Sequence, residues 1–448
     1  MSLEEFNLNT FDEVKSLVDR INWVSSYEIF LQNSNILTSL IKQNQELSSE
    51  NISRSGVALR LISTSKRLKE VSFNIGATQK LKELTEPHST SKQLLINQFP
   101  GLKQPKSKLV KGDTSNSVSL NSDLIWDLSN NIDISNFDRI EFEFDIRIEK
   151  ENLIIYNTGS SILNYTSLKN QVSITGNSMD HVNPVFVTRS LLSRNLNFTF
   201  NNILAEIERN IGYLNNTSLD LSNFSNPSIV IHPNVLAKII AFYYQNFMDN
   251  QNQMEKLDLL WSEDLNLYDD PTKIFGYNSC LFDDEGTLTS PKKLIENGVS
   301  TGGLSDLSST DWIEGGNGFR SEWYQPIDHS YTYPVVPIFS NLILDGGMGK
   351  GEKFVDQSGV TIVVNNGNTT ITGNQIDPRF LIHGSEIQVW KNGSIIGKMN
   401  NLTISGNINK LLTNGLLSSD DYCVRPISVP GTVYTGWLFI ESDILILS

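Results

Sequence analysis

Cysteine is almost missing from this 448-residue chain, which has only Cys280 and Cys423. Two cysteines cannot form a disulfide framework, and without a Cys-x-x-Cys spacing they form neither a metal knuckle nor a redox pair. This usage fits a reducing compartment. Histidine is also sparse: His88, His181, His232, His329 and His383 are scattered, and no two fall within one helical turn. That spacing excludes any motif that sets two imidazoles on one helix face, while a zinc site assembled from distant residues stays open. Positive charge is short as well, with 35 Lys plus Arg against 50 Asp plus Glu and a formal charge of -15. The basic residues do not cluster, so a phosphate backbone is repelled and nucleic acid is not expected as a direct partner. No apolar run approaches the ~20 residues a membrane helix needs. The opening Met1-Ser2-Leu3-Glu4-Glu5 is acidic where an export signal is basic and then apolar. A cytoplasmic protein with no membrane span is the expectation.

The 39% hydrophobic content is ample for real cores in two or three domains. Thr10 and Glu13 have capping-box spacing ahead of Val14, Leu17, Val18 and Ile21, which predicts an N-terminal helix. Strand-like runs follow at residues 27–31 and 56–62. Residues 84–122, with Pro87, Pro100 and Pro105, read as an exposed connection. Ile140, Phe142, Phe144, Ile146 and Ile148 alternate with charged residues, so a strand with one wet face is expected. A turn at Lys150 to Asn152 would then make a hairpin with Leu153 to Tyr156. A helix through Ile203, Leu204, Ile207 and Ile211 precedes an Asn/Ser-rich stretch, where the main boundary is placed. A strand at Ser228 to Ile231 and an aromatic helix after Pro233 follow, and from about residue 275 the chain reads as strands and turns. Asn392-Gly393 signals a type I′ hairpin, and Asn365 to Asn368 suggests another hairpin tip. The fold class expected is α+β: an N-terminal mixed helix/sheet domain over residues 1–222, then a sheet-rich C-terminal domain with a few helices over 223–448.

Few residues suggest chemistry. Asp283-Asp284-Glu285-Gly286 could offer oxygen ligands to a hard cation, but it lacks the alternate spacing of a calcium loop, and turn and capping roles account for it. Gly346 to Gly351 lacks the Ser or Thr that follows the lysine of a phosphate loop. Gly315-Gly316-Asn317-Gly318-Phe319-Arg320 is a turn whose amides and guanidinium fork could hold a carboxylate or a peptide carbonyl.

Taken in order, several segments resemble one family. Asp269-Asp270-Pro271, Phe282-Asp283-Asp284-Glu285-Gly286-Thr287 and Leu294-Ile295-Glu296-Asn297-Gly298-Val299 are similar to the acidic block and following hairpin of the TldD/PmbA (TldD/TldE) family, also called modulators of DNA gyrase. Gly316-Asn317-Gly318-Phe319-Arg320, Asn341-Leu342-Ile343-Leu344 and Ile404-Ser405-Gly406-Asn407 continue the resemblance. Tyr27-Glu28-Ile29-Phe30, Gly56-Val57-Ala58-Leu59-Arg60 and Asn157-Thr158-Gly159 extend it more weakly into the N-terminal half.

The resemblance implies a two-domain subunit that dimerises, and it separates two kinds of subunit. The zinc-bearing kind carries His-Glu-x-x-x-His on the helix that runs here from Asn234 to Met248, with a cysteine near the C-terminus. This chain has no histidine or glutamate on that helix, and Cys423 near the third ligand position would not retain zinc alone. The resemblance therefore implies the metal-free TldE/PmbA-like type, a non-catalytic subunit of a complex that degrades or matures unfolded peptides. No cofactor is expected in this chain. Zinc would sit in a TldD-like partner, with a homodimer as the other assembly. Asn317 and Arg320 are the candidates to face the peptide cavity; Asp283, Asp284, Glu285, Gly286, Asn297 and Gly298 are expected to be structural. Two alternatives stand beside this reading: an autonomous metallopeptidase with an unrecognised metal site, and a homodimeric peptide-binding or scaffold protein.

Overall fold

In the computed structural model the described residues are 3–43, 45–74, 81, 84–86, 120, 124–125, 128, 132–160, 162–179, 185–194, 200–214, 217–244, 261–306, 316–321, 330–355, 359–374, 377–426, 431–441 and 445–448. Helix α1 (Leu3–Val18) leads into β1 (Val24–Lys42), β2 (Gln45–Ser63), β3 (Leu68–Asn74), β4 (Ile140–Asn157), β5 (Leu163–Ser178) and β6 (Phe186–Ser193), followed by helix α2 (Phe200–Leu214). The strands form one antiparallel six-stranded sheet in the order β3-β2-β1-β4-β5-β6. One face of it carries an apolar patch at each end, separated by a polar middle that includes Asn33, Asn35, Lys150 and Asn152. At one end Phe11, Val14 and Val18 of α1 pack on Ile29, Leu31, Leu59 and Leu61; at the other Leu204, Ile207 and Ile211 of α2 pack on Phe142, Phe144, Ile146 and Ile148.

The second half begins with β7 (Ser228–Ile231), α3 (Pro233–Tyr243), β8 (Asn266–Asp269), β9 (Lys292–Glu296), β10 (Val299–Ser300), β11 (Gly318–Arg320), β12 (Val335–Pro337) and β13 (Asn341–Asp345). It continues through α4 (Glu352–Val355), β14 (Val360–Gly373), β15 (Pro378–Lys391), β16 (Ser394–Met399), β17 (Leu402–Asn407), α5 (Ile408–Asn414), β18 (Leu416–Leu417), β19 (Tyr422–Val424), β20 (Thr432–Thr435), β21 (Leu438–Ile440) and β22 (Ile446–Leu447). Two sheets result, β10-β9-β8-β13-β20-β19 and β18-β21-β7-β14-β15-β17-β22 with β16 added beside β15. Helix α3 is packed between them, and Val235, Leu236, Ala237, Ile239, Ile240, Ala241 and Tyr243 are all buried. Only the stripe of Asn234, Lys238 and Phe242 is partly exposed, so α3 is a core helix over the rest of its surface. The molecule is α+β with a strand-rich C-terminal half. Among the described residues no helix is long and apolar enough to cross a membrane.

Three local expectations are overturned. Helix α1 starts at Leu3, so Thr10 and Glu13 lie inside it instead of capping it; nothing between Leu3 and Asn9 breaks a helix, and the Thr-x-x-Glu spacing also occurs within one. No turn interrupts β4 at Lys150 to Asn152: Lys150 pairs with Asn35 on one side and Leu168 on the other. Two continuous ladders of backbone bonds outweigh the turn preference of a short polar stretch. Asn365 to Asn368 is likewise no hairpin tip. Strand β14 runs through it with register shifts around Asn366, where Gly367 opposes Gly384, and the strand turns only after Gly373. The Asn392-Gly393 hairpin forms as expected, with φ of 50° and 73° between β15 and β16. Asn297-Gly298, with φ of 50° and 75°, turns β9 into β10.

Candidate functional site

The acidic block folds as a tight turn. Asp283 N–H donates to Thr287 O (3.0 Å), and its Oδ1 accepts from the amides of Glu285 (3.1 Å) and Thr287 (2.8 Å), with Gly286 at φ 75°. Its Oδ2 accepts from Gly318 N–H (2.9 Å), and Asp284 accepts from the amide of Arg320 (2.5 Å). The turn thus fixes β11, which pairs with β12. At Gly318 an added Cβ would overlap the Glu285 carboxylate, so glycine is required there.

Asn317 and Arg320, expected as a pair facing one cavity, are parted. The Asn317 amide is fully buried and donates to Asp269 (2.6 Å) and Ile338 O (3.2 Å), while its carbonyl accepts from Lys292. Asp269 also accepts from Ser340 N–H, Ser340 O–H and Asn341 N–H, each at 2.9 Å. Burial pushes the Asp269 carboxyl up to about 6 in spite of these donors.

Arg320 instead reaches the first sheet, where the weaker motifs of the N-terminal half gather. Its Nη2 donates to Glu28 Oε1 (3.2 Å), its Nη1 to Tyr333 O (3.2 Å), and the guanidinium lies 4.9 Å over the Phe30 ring. Arg60 on β2 pairs with Glu285 from the acidic turn, with Glu28 (3.5 Å) and with Glu70 (3.3 Å). Asn157 donates to Glu285 O (3.4 Å), and the Tyr331 amide donates to Gln32 (2.8 Å). Glu28, Arg60, Glu285 and Arg320 are at most 2% exposed. Burial drives Glu28 up to about 7 against the pull of Arg60 and Arg320. For Arg60 burial is the largest influence and disfavours its charge, yet Glu285, Glu28 and Glu70 together raise its pKa. Residue-level reading missed this network although a signal was present: Glu28 and Arg60 sit at inward positions of otherwise apolar strands, and a buried charge requires a partner.

Beside the network lies a cavity of about 80 Å³, walled by Glu149, Glu151, Tyr165 and Lys169 from the first sheet and by Phe282, Phe319, Arg320 and Arg425 from the second half. A second buried group joins the halves elsewhere. Arg189 on β6 bonds Glu206 on α2 (2.6 Å) and Glu386 on β15 (3.0 Å). Next to it Lys238 of α3 donates to Gly367 O (2.9 Å), and a polar groove of about 370 Å³ runs between β6 and β14 to β16.

Helix α3 starts at His232, whose Nδ1 accepts from Asn234 N–H (3.1 Å), and Pro233 occupies the first helical position. Burial, helped by Arg189, holds His232 well below its usual pKa, so the ring is neutral. Cys423 lies opposite Tyr434 in the β19–β20 ladder, and burial pushes its thiol up to about 12. Among the described residues no group of three or more His, Cys, Asp or Glu could hold a metal ion. His88, His181 and His329 lie outside the described residues.

The architecture defines a class of two-half α+β proteins already seen in solved structures. The chain superposes on TldE from Thermococcus kodakarensis with a TM-score of 0.76 at 15% identity, covering 97% of this chain and 98% of that one. Proteins named as modulators of DNA gyrase are similar too: one from Thermotoga maritima (TM-score 0.69, 16% identity, 98% and 99% covered) and one from Bacteroides thetaiotaomicron (0.66, 13%, 99% and 98%). No curated protein matches in sequence. Residues 226–442 match the PmbA/TldA metallopeptidase C-terminal domain, so the second half of the chain carries the domain of the TldD/PmbA family.

Proposed function

We propose that this chain is the metal-free, non-catalytic subunit of a TldD/TldE-type metallopeptidase, completing with a zinc-bearing partner an enclosure for unfolded peptides in the cytoplasm. One observation carries the reading: α3 has no histidine or glutamate from Pro233 to Tyr243, and its side chains are spent on the core between two sheets. A hydrolytic zinc needs three protein ligands and an open position for water, and its water needs a base. This helix supplies neither ligand nor base, and the likeness to TldE of Thermococcus kodakarensis supports the same assignment. Holding an extended peptide needs only main-chain partners and shaped walls, which a metal-free subunit can provide.

The test is cleavage of an unstructured peptide by the purified chain, by a TldD-type partner and by the two mixed. The mixture should cleave, and the chain alone should not. Cleavage by the chain alone that a chelator abolishes would replace this reading with an autonomous metallopeptidase.

A further inference from the structure

The cavity at the seam is not used by the role proposed above. At about 80 Å³ it falls well short of the ~300 Å³ and more of pockets for drug-sized ligands, so it suits one small residue and not a length of chain. In a protein of formal charge -15 its lining is cationic on balance: Lys169, Arg194, Arg320 and Arg425 against Glu149, Glu151 and Asp284. All three carboxylates already have protein donors: Glu149 accepts from Arg147 (3.3 Å), Glu151 from Gln32 (2.6 Å) and Asp284 from the Arg320 amide.

The guanidinium of Arg320 is only 2% exposed, and its Nε–H has no hydrogen-bond partner among the described residues. A buried donor left unpaired is unfavourable, and an anionic oxygen would satisfy it. Arg425 approaches from the other side, bonded to Gln171 (3.2 Å) and set 5.6 Å over the Tyr277 ring. Tyr165 and Phe282, 5.3 Å apart edge to face, make an aromatic wall. Forked cations beside an apolar wall suit a carboxylate on a small apolar body.

We propose that this cavity binds the carboxylate of a molecule the size of one small amino-acid residue, either a free acid or the C-terminal residue of a peptide, through Arg320 and Arg425. The site stands whether or not the chain works as a peptidase subunit.

Calorimetric titration of the full chain with propionate, L-alanine and L-alaninamide tests it. Propionate and alanine should bind saturably at millimolar concentrations or below, and alaninamide, which lacks the carboxylate, should not. Arg425→Gln, outside the Glu28–Arg60 network, should weaken propionate about ten-fold or more with an unchanged thermal melt. A peptide Gly-Gly-Ala compared with its C-terminal amide separates the two sources: tighter binding of the free-acid peptide than of alanine identifies a peptide end, and alanine binding alone identifies a free acid. Absence of saturation by any carboxylate, equal binding of alaninamide, or undiminished binding in Arg425→Gln would overturn the proposal.

Discussion

Arg60 holds three carboxylates, Glu285, Glu28 and Glu70, and the first two are fully buried. Removing one partner from a buried ionic group leaves charge without compensation, at a cost of ~3–5 kcal/mol. Arg60→Ala should therefore lower the unfolding free energy by that amount in a urea titration, far more than Arg379→Ala at an exposed pair. Glu28 predicts a pH dependence of definite sign. Its carboxyl titrates at about 7 in the folded chain against an ordinary value of 4.5, so folding takes up a proton between those values. The stability it contributes is full below about pH 4.5 and is lost as pH rises through about 7. Asp269, at about 6 against 3.8, acts in the same sense. The urea midpoint should climb as the pH is lowered across that window, and Glu28→Gln should flatten the climb. An equal slope in the variant would remove Glu28 from the account.

At the scale of elements, the seam depends on close packing as well as charge. A Cβ on Gly56 of β2 would overlap the Tyr331 ring, whose hydroxyl bonds Asn74. Overpacking of this kind costs ~1–3 kcal/mol, so Gly56→Ala should lower the thermal midpoint, and Gly56→Ala with Tyr331→Leu should regain part of the loss. Elements whose signal is local could be read from the sequence: the Asn392-Gly393 turn, the Ser228 to Ile231 strand and the helix after Pro233 stand where spacing places them. Lys150 to Asn152 misled because β1 and β5, far away in sequence, impose their ladders on it. The site shows the same divide. The acidic turn is legible around Gly286, but the partner of Glu285 lies 225 residues away, and only the folded chain shows that motifs from both halves meet. Asn317 and Arg320 look equivalent in one loop, yet Asn317, just before β11, reaches Asp269, and Arg320, at its end, reaches Glu28.

For the whole molecule, two halves with their own cores are joined through buried polar groups, the Glu28–Arg60–Glu285–Arg320 network and the Arg189–Glu206–Glu386 group. Buried ion pairs add little net stability but disfavour misaligned packing, because any shift strands a charge. This suits the proposed role, in which the chain's walls are shaped while its core helix holds no His or Glu from Pro233 to Tyr243. The most direct measurement is the zinc content of the purified chain after saturation with zinc and desalting. Far less than one zinc per chain is expected, with or without chelator treatment. About one zinc per chain, retained through desalting and removed by a chelator, would contradict it.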